Sequence, residues 1–170
     1  MKIIEAMKRL KVILKRMQDN TQQIAVYSSI LSTEKPAFGS EEDQKKKVSS
    51  LVQANNDLMG EYLKLKQQIE RTNLATTLSL GDKAWTISEL LVIKRVLATV
   101  MVNTYNAMSI AAADARAKSG FGKTAEGAMP LPVRMYSEEF RNNGIARWQE
   151  LYSAIDARLE VINATTDLVE

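Results

Sequence analysis

The chain has 170 residues and a mass of 19.0 kDa, with 45% hydrophobic and 25% charged residues, enough for one compact domain with one sizeable core. It contains no His and no Cys, which removes catalytic triads, thiol chemistry, disulfides, zinc fingers and iron–sulfur ligation, and leaves Asp, Glu, Lys, Ser, Thr and Tyr for any catalysis. Seven Gly and 3 Pro favour helices over sandwiches and barrels, and the net charge of +3 is uneven: residues 1–72 carry 13 Lys/Arg against 9 Asp/Glu, residues 73–170 carry 10 against 11.

The first predicted helix covers about residues 3–31. Ile3, Met7, Leu10, Leu14 and Met17 recur at alternating steps of four and three, and the stripe continues through Thr21, Ile24, Ser28 and Leu31 in more polar form. Its first turns are strongly basic, with Lys2, Lys8, Arg9, Lys11, Lys15 and Arg16 against Glu5 alone. These charges break every apolar run that a signal peptide would need, so none is expected. Pro36 and Gly39 then punctuate the chain, and Ser40 is placed as the N-cap of a second helix over about 41–71, with Glu41, Glu42 and Asp43 at its positive end.

The second helix has the clearest period: Val48, Leu51, Asn55, Leu58, Tyr62, Leu65 and Ile69 keep three-four spacing over 21 residues. A heptad of that length implies a partner alongside, and the first helix is the nearest. Asn55 interrupts the apolar seam, either as a polar residue leaning to solvent or as a group that pairs across the seam and fixes register. Leu78 and Leu80 before Gly81-Asp82, with Trp85 beyond, read as a small hairpin over about 76–86 that must pack on helices.

A third helix is expected over about 87–118. From Ile87 to Val102, eleven of sixteen residues are apolar, on more than one face, as in a helix enclosed on several sides. Lys94 and Arg95 split that stretch, which is also shorter than the roughly 20 residues that cross a bilayer, so no transmembrane segment is expected. A loop over 120–136 follows, and Ser137 caps a fourth helix over about 138–165, with Glu138 and Glu139 in its first turn and Trp148, Leu151, Ile155 and Ile162 on its buried face. The expected fold is therefore mainly α: one domain over 1–170, an antiparallel bundle of about four long helices with a small β-hairpin between helices 2 and 3.

One stretch, Ala117-Lys118-Ser119-Gly120-Phe121-Gly122-Lys123-Thr124, satisfies a relaxed phosphate-loop pattern. A working phosphate loop follows a strand and opens a helix, so that backbone N–H groups converge on phosphate, and here an Ala-rich helix precedes the motif instead. The acidic pairs sit at helix starts, where they stabilise the dipole, and a ferritin-like di-metal site lacks its His ligands. No catalytic residue, metal or cofactor is expected. Lys45-Lys46-Lys47 and the basic first helix lack the interleaved aromatics of a nucleic-acid surface, and Met7, Met17, Met101 and Met108 read as gap-filling core residues.

Two stretches carry a resemblance. Gln68-Ile69-Glu70-Arg71-Thr72-Asn73-Leu74-Ala75-Thr76, followed by a hairpin and a long helix, is similar to the helix–hairpin junction of septicolysin-like small helical proteins and their phage-encoded relatives. Ser153-Ala154-Ile155-Asp156-Ala157-Arg158-Leu159-Glu160-Val161-Ile162-Asn163-Ala164 resembles the family's closing helix, with its Asp-x-Arg-(Leu/Ile) core. The order of elements matches over most of the chain, while the loop over 120–135 departs from it. The resemblance implies an all-helical fold with a small hairpin and no established enzyme activity. The family name implies membrane lysis, for which this chain offers no uninterrupted exposed apolar segment. Arg71, Asn73 and Thr76 suit capping and hydrogen bonding at the junction, and Asp156 and Arg158 suit polar contacts beside the fourth helix.

The expectation is a non-enzymatic structural or assembly protein that self-associates or joins other proteins in a larger assembly, with a phage virion or the cytoplasm of the producing cell as its place. Its interaction candidates are Asn55, Arg71, Asn73, Thr76, Trp85, Trp148, Asp156 and Arg158. A membrane-active protein and a nucleic-acid-associated protein are the alternatives, and no small-molecule substrate is expected.

Overall fold

The computed structural model describes residues 1–123 and 126–169 and is mainly helical, with one small two-stranded antiparallel sheet. The elements run α1 (Ile3–Tyr27), α2 (Glu41–Ala75), β1 (Thr77–Leu80), β2 (Lys83–Thr86), α3 (Ile87–Val92), a π-helical turn (Ile93–Leu97), α4 (Ala98–Asn106), α5 (Ala111–Lys118) and α6 (Glu138–Thr165). They divide into two units, residues 1–77 together with those from 160 onward, and residues 78–159.

In the first unit α1 and α2 form an antiparallel hairpin. Tyr27 lies by Gln44, Asn20 by Asn55 and Arg9 by Glu61, so residue numbers fall along one helix as they rise along the other. On α2 the inward residues are those of the heptad, with Leu51, Leu65 and Ile69 buried and the stripe extended to Gln44 and Thr72. On α1 the stripe differs from the expected one. Ile3, Ala6 and Ile13 are buried and Leu10, Met17, Asn20, Ile24 and Tyr27 half-buried, while Met7 and Leu14 are 43% and 45% exposed. Both stripes keep three-four spacing through Ile3, Leu10, Met17 and Ile24. The one selected has Ala6 rather than Met7 in the seam, where Ala6, Leu65 and Ile69 make a cluster with Leu10 and Leu168.

Helix α1 stops at Tyr27 instead of Leu31 because its end is capped from α2. The Gln44 side-chain amide donates to the Tyr27 carbonyl (2.9 Å), its carbonyl oxygen accepts from the Ala37 N–H (2.8 Å), and the residue is 6% exposed. Tyr27 and Phe38 meet edge to face at 4.8 Å between centroids, closing the same connection. Ser40 accepts from the Asp43 N–H and starts α2 as its sequence position suggested.

In the second unit β1 and β2 pair through Gly81-Asp82, where Gly81 has φ +64° and Asp82 does not need a positive φ, the pattern of a turn led by glycine. Thr86 then caps α3 in a reciprocal capping box with Glu89. The buried residues Ile87, Leu90 and Ile93 are three apart, and the next, Ala98, is five further on. That step is the π turn, in which the Ala98 N–H bonds to the Ile93 carbonyl. The helix is not enclosed on several sides as its apolar run suggested, since Val92, Val96, Leu97 and Val100 are exposed. It also does not run unbroken to Lys118. After Asn106 the ladder tightens, with Met108 N–H bonding to Tyr105 O, and the Ser109 hydroxyl accepts from the Ala111 N–H before α5 begins.

Helix α6 buries Gly144, Ile155 and Leu159 and half-buries Trp148 and Leu151 at helical spacing. Tyr105 sits on Gly144 so closely that an added Cβ would lie 2.2 Å from its ring, and it also meets Phe140 at 5.7 Å. Gly144→Ala is expected to lower the stability of this unit by about 2 kcal/mol or more through overpacking. Gly60→Ala, in an open stretch of α2, is expected to raise stability by roughly 0.5–1 kcal/mol. Urea midpoints of the two variants against the parent check both signs.

Candidate interaction surfaces

Of the residues singled out from sequence, Asn55 is the one placed in a seam. Its Oδ1 accepts from the Asn20 side-chain amide at 2.9 Å, and its Nδ2 lies 3.3 Å from the Met17 carbonyl and 3.4 Å from the Thr21 hydroxyl. Asn20 was hidden from the sequence reading because the expected α1 stripe passed through its neighbour Thr21.

Around the end of α2, Thr76 is the C-cap residue and its N–H bonds to the Thr72 carbonyl. Arg71 is exposed, and Asn73 is half-buried with its Oδ1 enclosed and without a hydrogen-bond partner. The organising residue of this region is Thr72, which is fully buried. Its hydroxyl donates to the Gln68 carbonyl (2.7 Å) and accepts from the Val169 N–H (2.9 Å). It is the next heptad position after Ile69, so the period carries it, although a lone Thr gives no sign of a partner 97 residues away.

Val169 belongs to a clasp. Residues 166–168 run antiparallel to residues 1–3: the Ile3 N–H donates to Thr166 O (3.0 Å) and the Leu168 N–H to Met1 O (2.8 Å). Lys2 completes it, its ammonium donating to the Thr165 carbonyl (2.8 Å) and to the Asp167 carboxylate (2.5 Å). The Lys2 ammonium holds the Asp167 carboxyl below the ordinary aspartate value. Glu89 is likewise lowered, chiefly by the Thr86 N–H.

In the second unit Asp156 pairs with Lys94, whose ammonium lies 5.7 Å from the Tyr152 ring centroid. Arg158 is exposed. Trp85 is half-buried and carries the Lys83 ammonium 3.7 Å from its ring centroid, as strand neighbours two apart allow. Trp148 lines a shallow groove of about 330 Å³ with Ala98, Thr99, Val102 and Tyr152. Of the eight candidates, Asn55, Arg71, Asn73 and Thr76 lie in one unit, and Trp85, Trp148, Asp156 and Arg158 in the other.

The phosphate-loop-like stretch follows helix α5 and not a strand, with Gly120 and Gly122 at φ +80° and +77°. Its last residue, Thr124, lies outside the described residues. Among the described residues no group of three or more acids could hold a metal, and no helix is long and apolar enough to cross a membrane. What the surface does carry is apolar area. Phe121, Leu131, Val133 and Met135 are 72%, 85%, 66% and 87% exposed, and with Pro130, Pro132 and the α5 residues Ala113 and Ala117 they line one open cleft. Compared with protein-family models, curated proteins and solved structures, the chain matches none.

Because Asp167 is lowered in the folded state, its pairing stabilises the clasp above the ordinary aspartate range and is lost as pH falls through that range and below. Thr72→Val, which keeps shape but removes the acceptor of the Val169 N–H and the bond to Gln68, is expected to cost about 1–2 kcal/mol. Amide exchange at Ile3, Leu168 and Val169 should accelerate in that variant at neutral pH, and in the parent the protection factors of these amides, taken against the intrinsic rate at each pH, should fall on acidification.

Proposed function

We propose that this protein is a non-enzymatic structural component that self-associates within a larger assembly. The observation that carries the reading is the surface segment around Leu131, Val133 and Met135, which are 85%, 66% and 87% exposed. Three large apolar side chains so close together on the surface are costly in water and gain by meeting a second apolar surface. A second copy of the chain is the partner that satisfies every such segment at once, and a closed ring or shell of copies leaves none exposed. The resemblance to septicolysin-like proteins and their phage-encoded relatives supports a virion as the setting, and the heptad stripe of α2 supports an antiparallel bundle of about four long helices.

Light scattering with negative-stain microscopy across protein concentration tests this. A defined oligomer is expected, whose mass falls toward the 19.0 kDa of one chain when Leu131, Val133 and Met135 are all replaced by Ser. A parent protein that stays monomeric at every concentration would contradict self-association.

A further inference from the structure

The hairpin of α1 and α2 has two unlike flanks. In an antiparallel pair, residues just after Ala6, Ile13, Leu51 and Leu58 fall on one side of the seam, and residues just before Leu10, Met17, Asn55 and Tyr62 on the other, because both the direction and the facing of the second helix are reversed. The second flank is polar and paired: Arg9 bonds Glu61 at 2.5 Å, and Arg16, Asp19, Gln23 and Asp57 surround the same side.

The first flank is apolar. Along it Met7, Leu14 and Thr21 of α1 run against Lys66, Met59 and Val52 of α2, so that Leu14 stands beside Met59, with Leu63 one row further out; Met7, Leu14, Val52, Met59 and Leu63 are 43–52% exposed. A helix that only served a two-stranded seam would be polar at these positions. Apolar residues at the seam and on one flank are the pattern of a helix that packs on a further helix.

Charge identifies what would lie there. Lys11 borders the α1 side of the strip, and Lys8 and Lys15 lie one row beyond it, a cation at nearly every turn. None of the three has an acidic partner among the described residues, whereas Lys45, Lys46, Lys66 and Lys118 each pair with an acid four residues away. Among the described residues of α1 and α2 the one acid bordering the strip is Glu70, which is engaged with Lys66. A second hairpin laid on this strip would bring more uncompensated lysines and no free acid.

We infer that the Met7–Leu14–Val52–Met59 strip docks an acidic amphipathic helix of another protein, its apolar stripe on these side chains and its carboxylates toward Lys8, Lys11 and Lys15. The strip covers two heptads, so the helix would contact it over about 14 residues, roughly 21 Å. The inference goes beyond the self-association reading: a monomer that binds such a helix would end that reading and leave this one standing.

The probe is a fluorescein-labelled 18-residue peptide with Leu at three-four spacing and Glu on both sides of that stripe, beside a control with Lys for every Glu. Saturable binding of the acidic peptide to the full chain is expected. It should weaken with salt and fall at least tenfold in Leu14→Glu/Met59→Glu and in Lys8→Glu/Lys11→Glu/Lys15→Glu, with unchanged helical circular dichroism. Because five of these residues are exposed side chains whose loss leaves the core intact, Lys8→Gln/Lys11→Gln/Lys15→Gln serves as the milder charge variant and should weaken binding in the same direction. No binding, equal binding of the lysine control, or binding indifferent to both sets of variants would overturn the inference. So would an oligomer that Leu14→Glu/Met59→Glu dissolves, which would make the occupant a second copy. Capture by vesicles of phosphatidylglycerol but not by the peptide, lost in the same variants, would make it a membrane.

Discussion

A helix as polar as α2, with 35 residues and a Gly at its centre, does not hold together in water on propensity alone, so its stability depends on the seam it shares with α1. That seam is narrow and only partly apolar. At one end Ala6, Leu65 and Ile69 bring the helices close; in the middle Asn20 and Asn55 hydrogen-bond each other; at the other end Gln44 closes the connection. An apolar seam tolerates sliding by a turn, because leucines pack on leucines in more than one way. A polar pair does not, since any other register leaves two amides enclosed without partners. The small residue sets how close the helices come, and the amide pair sets which residues face each other.

The rest of the first unit follows from that register. It presents Leu168 with a floor of Ala6, Leu65 and Ile69, which sets the neighbouring Val169 N–H against the Thr72 hydroxyl. It also decides the two flanks. With Arg9 opposite Glu61, the charged rows pair with each other, and the rows carrying Met7, Leu14, Val52 and Met59 are left on the remaining side. The second unit is governed by a comparable device: the π turn shifts the inward face by one residue, so that Ala98, and not Leu97, follows Ile93 into the core.

Much of this was legible in the sequence, and the failures share a cause. The α2 heptad, the Ser40 start and the Gly81-Asp82 turn are local signals, in which a few adjacent residues carry the physics. The α1 stripe was not, because two stripes share four residues and the choice between Met7 and Ala6 depends on how near the partner comes. Larger side chains look like core to a single sequence, whereas close helices favour the smaller one. The break at Ala107–Ile110 and the early end of α1 at Tyr27 turn on competing hydrogen bonds from Ser109 and Gln44, which helical propensity does not contain. Of the candidate residues, Asn55 announced itself by standing in an apolar row. Thr72, Gln44 and Asn20 did not, because their partners lie 17 to 97 residues away and only the fold brings them together.

The register of α1 against α2 underlies the clasp, the paired flank and the open strip alike, and a double-mutant cycle between Asn20 and Asn55 measures it most directly. Asn20→Leu and Asn55→Leu, singly and together, are compared by urea unfolding. Each single change strands one amide, while the double change removes both, so a coupling of about 1–2 kcal/mol is expected, with the double variant near the parent. Additive effects, with no coupling, would mean that the two amides do not meet and that the helices pair in some other register.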